Sequence, residues 1–277
     1  MQHLEGKIRA ADGLPLYWQA WKPEGDVKAV VVLAHGLGEH SGRYAHVAEA
    51  LTAAGYSVYA LDHRGHGQSG GPRGHVPDYT SLLDDFGLII KMAQRENPGK
   101  KVFIYGHSLG GNIVLNYALR RPEGLAGVIA QGAGLKLAFE PPGWKMSLAR
   151  LMSNIWPSFA QGNELERAAL SRDPAVVQAY EEDPLVHDRI TARLFVGFME
   201  AAEYALEHAG EIRLPVLLLH GGDDRLTDPA GTRLFYERVG TDDRSLRIYE
   251  GLYHEIHNEP EQEQVFRDII AWLGEHV

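Results

Sequence analysis

The chain contains no cysteine, which excludes a disulfide framework and a thiolate nucleophile. It also lacks an uninterrupted apolar run of the roughly 20 residues that a membrane-spanning helix needs. Its first residues show neither the apolar core nor the small-residue cleavage site of a secretory signal. These absences together predict a soluble, cytoplasmic protein.

The chain also has fewer basic than acidic residues. The sequence has 27 Lys and Arg residues against 37 Asp and Glu residues, which gives a formal net charge of -10. Nucleic-acid binding requires clustered cations that neutralise phosphates, so this balance argues against a nucleic-acid partner. It also predicts repulsion from anionic lipid headgroups, so any membrane contact is expected to be apolar and local.

Hydrophobic residues make up 44% of the 277 residues, enough for a large core. Eight stretches have the composition of strands: 7–10, 16–21, 29–34, 56–61, 101–105, 127–131, 214–220 and 244–249. Four stretches have the periodicity of helices: 43–54, 80–96, 109–120 and 265–273. This alternation predicts an α/β fold in which a mostly parallel, eight-stranded sheet has helices on both faces.

The interval 135–209 interrupts the alternation of strands and helices. It has helical periodicity and no clear strand, and it is rich in large apolar side chains such as Trp144, Ile155, Trp156 and Phe198. An insertion of this size predicts a helical lid packed over the carboxyl edge of the sheet. Residues 1–134 and 210–277 would then form the core domain.

A candidate nucleophile follows the predicted strand 101–105. The sequence there is Gly106-His107-Ser108-Leu109-Gly110-Gly111, and a predicted helix begins within it. This is the pattern G-x-S-x-G in its strand–turn–helix context, which places Ser108 in a sharp turn that side chains two residues away would obstruct. The backbone N–H of Leu109, at the helix start, would face the oxyanion of a tetrahedral intermediate.

A nucleophilic serine needs a histidine base, and in this arrangement the base follows the serine and the acid in the chain. Six histidines follow the motif: His187, His208, His220, His254, His257 and His276. His254 follows the last predicted strand and the loop 250–253, which places it at the carboxyl edge of the sheet, and His257 lies three residues further on. No third ligand at a suitable spacing accompanies this pair, which argues against a metal site.

The acid that orients the histidine has three candidates beyond the strand 214–220. Asp228 precedes Pro229 at a predicted helix start, which favours an N-cap role for its side chain. Asp223 and Asp224 are adjacent, and their composition and spacing do not separate them.

Five blocks of sequence occur together: HGLGEHSGRY (35–44), DHRGHGQS (62–69), GHSLGG (106–111), DRLTD (224–228) and YEGLYHEIH (249–257). Together they resemble the monoacylglycerol lipase and lysophospholipase family of α/β-hydrolases, over most of the chain outside the insertion. The resemblance implies the α/β-hydrolase fold and hydrolysis of a lipid ester, with monoacylglycerol cleaved to glycerol and fatty acid. It implies no cofactor and no metal.

The resemblance also assigns individual residues. It selects Asp224, directly before Arg-Leu, as the acid and His254, of the Tyr-His pair, as the base. It places the second oxyanion donor on the backbone N–H of Leu37. It implies that three residues lie near the polar end of the pocket, where glycerol is received: Glu39, Arg43 and His257. Apolar lid residues would line an acyl tunnel, and an exposed apolar lid surface would support transient membrane contact.

Other interpretations compete with this one. Glycines after the strand 29–34, followed by Asp62, imitate a dinucleotide-binding motif, but Ser41 occupies the position of its third glycine. Dehalogenases and epoxide hydrolases of this fold need an aspartate where the chain has Ser108. A lysophospholipase, a general carboxylesterase, a peptidase and a perhydrolase can all use the same triad. A non-catalytic ligand-binding protein on this fold would be expected to lack a triad member.

Overall fold

The computed structural model describes residues 1–139 and 142–277. The strands in this part of the chain are β1 (Gln2–Arg9), β2 (Pro15–Lys22), β3 (Ala29–Ala34), β4 (Tyr56–Leu61), β5 (Val102–His107), β6 (Gly127–Gln131), β7 (Ala160–Gly162), β8 (Arg189–Thr191), β9 (Val216–Gly221) and β10 (Arg244–Tyr249). The α-helices are α1 (Ala45–Ala53), α2 (Thr80–Glu96), α3 (Leu109–Arg120), α4 (Gly143–Ile155), α5 (Pro174–Glu182), α6 (Ala192–His208), α7 (Pro229–Arg238) and α8 (Gln262–His276).

Eight strands form one sheet in the order β1-β2-β4-β3-β5-β6-β9-β10. The pairs β1·β2 and β2·β4 are antiparallel. The other neighbouring pairs of this sheet are parallel: β4·β3, β3·β5, β5·β6, β6·β9 and β9·β10. The first pair is a hairpin, in which the Leu14 N–H donates to the Asp12 carboxylate at 3.1 Å and Gly13 adopts a positive φ of 84°. The predicted sheet of eight mostly parallel strands is confirmed.

Helices cover both faces of the sheet. Successive side chains of a strand point to opposite faces, so one strand contributes to two separate cores. On β3, Val30 and Val32 pack in a core shared with α2, α3, α6 and α7. Val31 and Leu33 pack in a second core, shared with α1 and α8. α2 and α3 have the bounds that the sequence predicts, whereas α8 is longer at both ends and α1 is preceded by a short 3-10 helix.

The insertion, defined here as residues 135–209, joins β6 to β9 and contains α4, α5 and α6. It also contains β7 and β8, which pair antiparallel with Ala160 opposite Thr191. The prediction that this interval has no strand is therefore wrong, because strands of three residues are too short to show alternation in the sequence. Two residues of the predicted lid, Glu140 and Pro141, lie outside the described residues. In the described ranges, no helix combines the length and the apolar character needed to cross a bilayer.

Candidate active site

Ser108 lies in the turn between β5 and α3. Its φ of 55° and ψ of -116° place it in a region that non-glycine residues seldom occupy. A Cβ atom on Gly106 would lie 2.1 Å from the Gly110 carbonyl oxygen, and one on Gly110 would lie 2.0 Å from the Ala34 carbonyl oxygen. Only glycine fits at these two positions, so the turn has the strained form that the G-x-S-x-G motif predicts.

Two other predicted residues meet at the same edge of the sheet. His254 Nδ1 lies 2.7 Å from Asp224 Oδ2, because Asp224 follows β9 and His254 follows the neighbouring parallel strand β10. The adjacent Asp223 is exposed to solvent. Asp228 accepts a hydrogen bond from the Ala230 N–H at 2.8 Å and caps α7. Of the three candidate acids, the structure brings Asp224 to His254.

The charge of this pair follows from its surroundings. Burial raises the pKa of Asp224, but the neighbouring His254 and its hydrogen bonds outweigh burial and hold that pKa well below its usual range. Burial lowers the pKa of His254, but the Asp224 carboxylate outweighs it, and the net result is a raised pKa. The carboxylate therefore orients a His254 that carries its hydrogen on Nδ1 and presents Nε2 as an acceptor.

Two backbone segments flank Ser108. The N–H of Leu109 is in the first turn of α3 and has no acceptor within the helix. On the other side, a Cβ atom on Gly36 would lie 3.3 Å from Ser108 Cβ, and Leu37, the next residue, lines the same cavity as Ser108. An oxyanion hole needs two such donors beside the nucleophile, and this role of the Leu37 and Leu109 N–H groups stays a prediction.

A cavity of about 350 Å³ opens over Ser108, and His254 also lines it. Much of its wall consists of apolar side chains from the insertion, among them Leu148, Met152, Phe159, Leu194, Phe195 and Phe198. Its polar lining residues include Glu39 and Glu255, which lie together because both pair with Arg43. A wall that is mostly apolar with a few carboxylates suits a ligand that is largely apolar and carries a polar group.

Comparison with known proteins identifies the family. Residues 25–261 match the family described as Serine aminopeptidase, S33. The chain belongs to this family. It is 38% identical to a monoacylglycerol lipase of Mycolicibacterium smegmatis, over 99% of this chain and 98% of that one. It is 35% identical to a monoglyceride lipase of Homo sapiens, over 96% of this chain and 88% of that one.

Solved structures agree with this membership of the S33 family. The crystal structure of Paleococcus ferrophilus monoacylglycerol lipase superposes with a TM-score of 0.86 and 38% identity, and the match covers 100% of both chains. The α/β-hydrolase fold and the resemblance to monoacylglycerol lipases, both expected from the sequence, are therefore confirmed.

The three residues predicted at the glycerol end lie at different depths in this S33 family member. Glu39 lines the cavity and accepts hydrogen bonds from the Gly36 N–H at 2.6 Å and the Tyr44 hydroxyl at 2.7 Å. Among the described residues that line the cavity, Arg43 and His257 do not occur. Arg43 forms an ion pair with Glu39, and His257 is fully buried with its ring stacked on Tyr44. The substrate-binding roles of the three residues stay predictions.

Glu255 is a site residue that the sequence reasoning missed. It is buried, and both of its oxygens accept hydrogen bonds from the Arg43 guanidinium, each at 2.7 Å. Burial raises the pKa of Glu255, but Arg43 outweighs it and holds that pKa well below its usual range. The sequence offered one signal, the position of Glu255 directly after His254. The signal was passed over because a glutamate in a loop is ordinarily a surface residue.

Gln131, at the end of β6, is a second residue that was missed. Its Nε2 lies 2.6 Å from His257 Nδ1 and 3.2 Å from His107 Nδ1, and its Oε1 accepts a hydrogen bond from the Tyr105 hydroxyl. Burial lowers the pKa of His257 to about 3 and also lowers that of His107. Both rings are therefore neutral at pH 7, and the His107 ring lies 4.6 Å from that of His254. Gln131 thus connects the buried side chains of Tyr105, His107 and His257 next to the candidate base. No motif in the sequence indicates this role.

Proposed function

We propose that this chain is a serine hydrolase that cleaves monoacylglycerol to glycerol and a fatty acid through an acyl-enzyme on Ser108. The observation that carries the proposal is the hydrogen bond of 2.7 Å between His254 and Asp224, at the cavity that the strained Ser108 also lines. A nucleophile, a base and an orienting acid at one cavity are the parts that acyl transfer from an ester needs.

The reaction begins with the tetrahedral intermediate that precedes the acyl-enzyme. Ser108 Oγ attacks the ester carbonyl carbon while His254 Nε2 takes the hydroxyl proton, and Asp224 stabilises the imidazolium that results. The negative charge that develops on the carbonyl oxygen is held by the N–H groups of Leu37 and Leu109. Each such donor contributes about 2.7–4 kcal/mol to transition-state stabilisation in serine hydrolases.

The second half of the reaction releases the products. His254 gives its proton to the oxygen of the glycerol leaving group, and the carbon–oxygen bond of the tetrahedral intermediate breaks. A water molecule then attacks the acyl carbon, with His254 again accepting a proton, and the fatty acid leaves as Ser108 regains its hydrogen. The residues of the chain supply every proton transfer in this scheme.

The cavity supports a lipid as the substrate. We infer that the insertion is a lid whose apolar side chains surround the acyl chain, because its residues form the apolar part of the wall over Ser108. Relatives that match nearly the whole chain are named monoacylglycerol lipase and monoglyceride lipase. A glycerol headgroup would occupy the polar end beside Glu39.

Aminopeptidase activity, which the family description suggests, fits this cavity less well. A peptidase of this type must bind the protonated amine of its substrate, and a carboxylate free of other cations is the natural partner for that charge. The described carboxylates that line the cavity already have cationic partners. Arg43 pairs with Glu39 and Glu255, and Lys145 lies 3.4 Å from Glu164.

The proposal is tested by a hydrolysis panel at neutral to mildly alkaline pH. The panel contains monoacylglycerols of short, medium and long chain, diacylglycerol, lysophosphatidylcholine, p-nitrophenyl esters and an aminoacyl arylamide. We expect monoacylglycerol to have the highest kcat/KM. The Ser108→Ala variant should lose turnover by roughly a millionfold, and full activity in a folded Ser108→Ala protein would refute the proposal.

The same panel separates the alternatives. A relative of this chain is named phospholipase YtpA, with 28% identity over 93% of this chain, so preference for lysophosphatidylcholine would make the protein a lysophospholipase. Cleavage of short activated esters alone would leave a general carboxylesterase. Cleavage of the arylamide alone would leave a peptidase.

We also propose transient membrane contact through α4. Its Trp144, Leu151 and Ile155 side chains are 66%, 52% and 71% exposed, and Trp144 also lines the cavity. An apolar surface that continues into the cavity suits a lipid surface that delivers the substrate. Because the net charge is -10, we expect flotation with neutral phosphatidylcholine vesicles to exceed flotation with phosphatidylserine vesicles. Absence of binding to both would refute the contact.

A further inference from the structure

A second histidine contacts the acid of the triad, and no step of the proposed reaction uses it. His220, on β9, is fully buried. Its Nε2 lies 3.1 Å from Asp224 Oδ2, the oxygen that His254 Nδ1 also approaches at 2.7 Å. Its Nδ1 lies 2.7 Å from the Thr232 hydroxyl. One carboxylate oxygen of Asp224 therefore contacts two imidazole rings, those of His220 and His254.

The hydrogen-bond partners of His220 assign its tautomer. Nε2 lies 3.1 Å from both Asp224 Oδ2 and the Thr227 carbonyl oxygen, which only accept hydrogen bonds, and a longer 3.3 Å from the Thr227 hydroxyl. Nε2 must therefore carry a hydrogen. The Thr232 hydroxyl can donate, so Nδ1 acts as its acceptor. The ring is fixed from both sides: its Nε2 N–H donates to the Thr227 carbonyl oxygen, and Nε2 lies 3.1 Å from Asp224 Oδ2.

We propose that His220 is a positioning residue that holds Asp224 Oδ2 in line with His254 Nδ1 and helps to keep the carboxylate ionised during proton transfer. This inference rests on the proposed function, which assigns Asp224 and His254 their roles. Hydrogen bonds that donate to the charged form of a carboxylate stabilise that form. An ionised Asp224 in a fixed orientation can stabilise the imidazolium of His254 without taking its proton.

The remaining side-chain donor to this oxygen does not replace His220. The Thr227 hydroxyl lies 2.8 Å from Asp224 Oδ2 but also 3.1 Å from the Gly132 carbonyl oxygen, and its single hydrogen can turn to either. The His220 ring cannot turn in this way because Thr232 fixes its other nitrogen. Four other titratable side chains interact electrostatically with this cluster: His254 and His107 with Asp224, Asp228 with His220, and Glu255 with His254.

The test compares His220→Leu with His220→Gln by kcat, KM and the pH–rate profile on a soluble p-nitrophenyl ester. The leucine variant fills the space without a donor. We expect it to lower kcat by about 10- to 100-fold, the value of a hydrogen bond to a charged group, with KM changed less than about twofold. The acid limb of the profile should move to higher pH, because a carboxylate with one donor fewer holds the His254 proton more tightly. The His220→Gln variant keeps an N–H donor, so its kcat and the pH of its acid limb should both be close to those of the wild type.

Two results would overturn the proposal. The first is a folded His220→Leu protein with wild-type kcat and an unmoved acid limb. The second is an equal loss of kcat in both variants without a shift of the limb, which would indicate a structural role alone. If His220→Leu does not fold, Thr232→Val, which removes only the hydroxyl that fixes Nδ1, should move the limb in the same direction by less. An unmoved limb in that variant would also overturn it.

The Ser108→Ala variant, assayed on the same ester, keeps the proposed function distinguishable from this inference. Hydrolysis by a folded Ser108→Ala protein would refute the triad itself, whatever the histidine variants show. Loss of hydrolysis in that variant, together with unchanged His220→Leu kinetics, would refute only the role of His220.

Discussion

From residue 142 onward, the insertion has two halves that are attached to the rest of the molecule differently. We call residues 142–162, which contain α4 and β7, the entrance half, and residues 163–209, which contain β8, α5 and α6, the anchored half. In α4 the described side chains are mostly exposed, and only Ser153 is buried. The described hydrogen bonds that hold the entrance half run within it or to the anchored half, such as the Ala192 N–H to the Phe159 carbonyl oxygen at 3.0 Å.

The anchored half is bonded directly to loops of the core domain. The His187 N–H donates to the Gly38 carbonyl oxygen at 2.8 Å, and the Thr191 N–H donates to that of Gly74 at 3.0 Å. The Glu255 N–H, beside the candidate base, donates to the Leu170 carbonyl oxygen at 2.8 Å. The difference teaches that one insertion can combine a segment bonded to the loops of the core domain with an exposed apolar surface, as the proposed lipid contact requires.

The largest effect is expected where the anchored half meets the site, at Arg43. Its guanidinium lies between Glu39 and Glu255 and packs on the Tyr180 ring of α5, 4.7 Å from the ring centroid. Arg43→Met would leave two buried carboxylates without a cation, so we expect the free energy of unfolding at pH 7 to fall by about 3–5 kcal/mol. Chemical denaturation measures this change.

The control for Arg43→Met is Arg167→Met in the anchored half, because Arg167 pairs with Glu181 at 3.4 Å on the surface. It should cost less than about 1 kcal/mol. The pH dependence provides a second check. Since the pKa of Glu255 is lowered in the folded protein, stabilisation by its ion pair is present above the ordinary glutamate value and is lost as pH falls below it. The difference between wild type and Arg43→Met should therefore narrow in acid, and equal effects of both substitutions would contradict the argument.

A smaller effect is expected from separating the anchored half from its core loop at Gly74. This residue has a φ of +65°, and a Cβ atom on it would lie 2.1 Å from the Arg189 carbonyl oxygen. Gly74→Ala should lower the free energy of unfolding by about 2–4 kcal/mol through backbone strain and displacement of β8, and it should also reduce kcat/KM. Gly99→Ala is the matched control, since Gly99 has a φ of +78° with no atom within 4 Å of the added Cβ.

Gly99→Ala should show the backbone strain alone, about 1–2 kcal/mol, with kcat/KM unchanged. Thermal or chemical denaturation and steady-state kinetics on both variants provide the comparison. If the two substitutions cost the same and neither affects kcat/KM, the contact of Gly74 with β8 does not anchor the insertion.

The sequence predicts the core better than it predicts the insertion, and the reason is physical. α2 has a long apolar stripe and β3 is buried on both faces, so local patterns define these elements before any tertiary contact is known. The bonds of the anchored half join backbone groups far apart in the chain, such as those of Gly38 and His187. Backbone groups carry no side-chain signature, so no sequence pattern indicates their pairing.

The candidate site divides in the same way. The motif around Ser108 identified the turn, because this turn requires glycine at two fixed positions and both glycines are visible in the sequence. The choice between Asp223 and Asp224 needed the family resemblance, because it depends on the conformation of the turn after β9, where the Leu226 N–H donates to Asp224 at 2.8 Å. Gln131 was missed because its partners lie on other strands and loops.

The smallest effect on stability and the most selective effect on function are expected in the entrance half. Leu151 and Ile155 of α4 are exposed and do not occur among the described residues that line the cavity. A Leu151→Ser, Ile155→Ser double variant should change the free energy of unfolding by less than about 0.5 kcal/mol. It should weaken flotation with phosphatidylcholine vesicles by about 10-fold or more, since each side chain loses part of the roughly 1.5–3 kcal/mol that its burial in lipid would contribute.

Hydrolysis of a soluble short-chain ester by this double variant should equal that of the wild type, whereas hydrolysis of monoacylglycerol presented in vesicles should fall in proportion to binding. Val277→Ser removes a side chain that is 49% exposed at the far end of the chain and should leave vesicle binding unchanged. If the double variant still binds vesicles as the wild type does, the exposed side of α4 is not the membrane surface. If the double variant instead loses activity on the soluble ester, the entrance half contributes to the reacting site itself, and the division between the two halves fails.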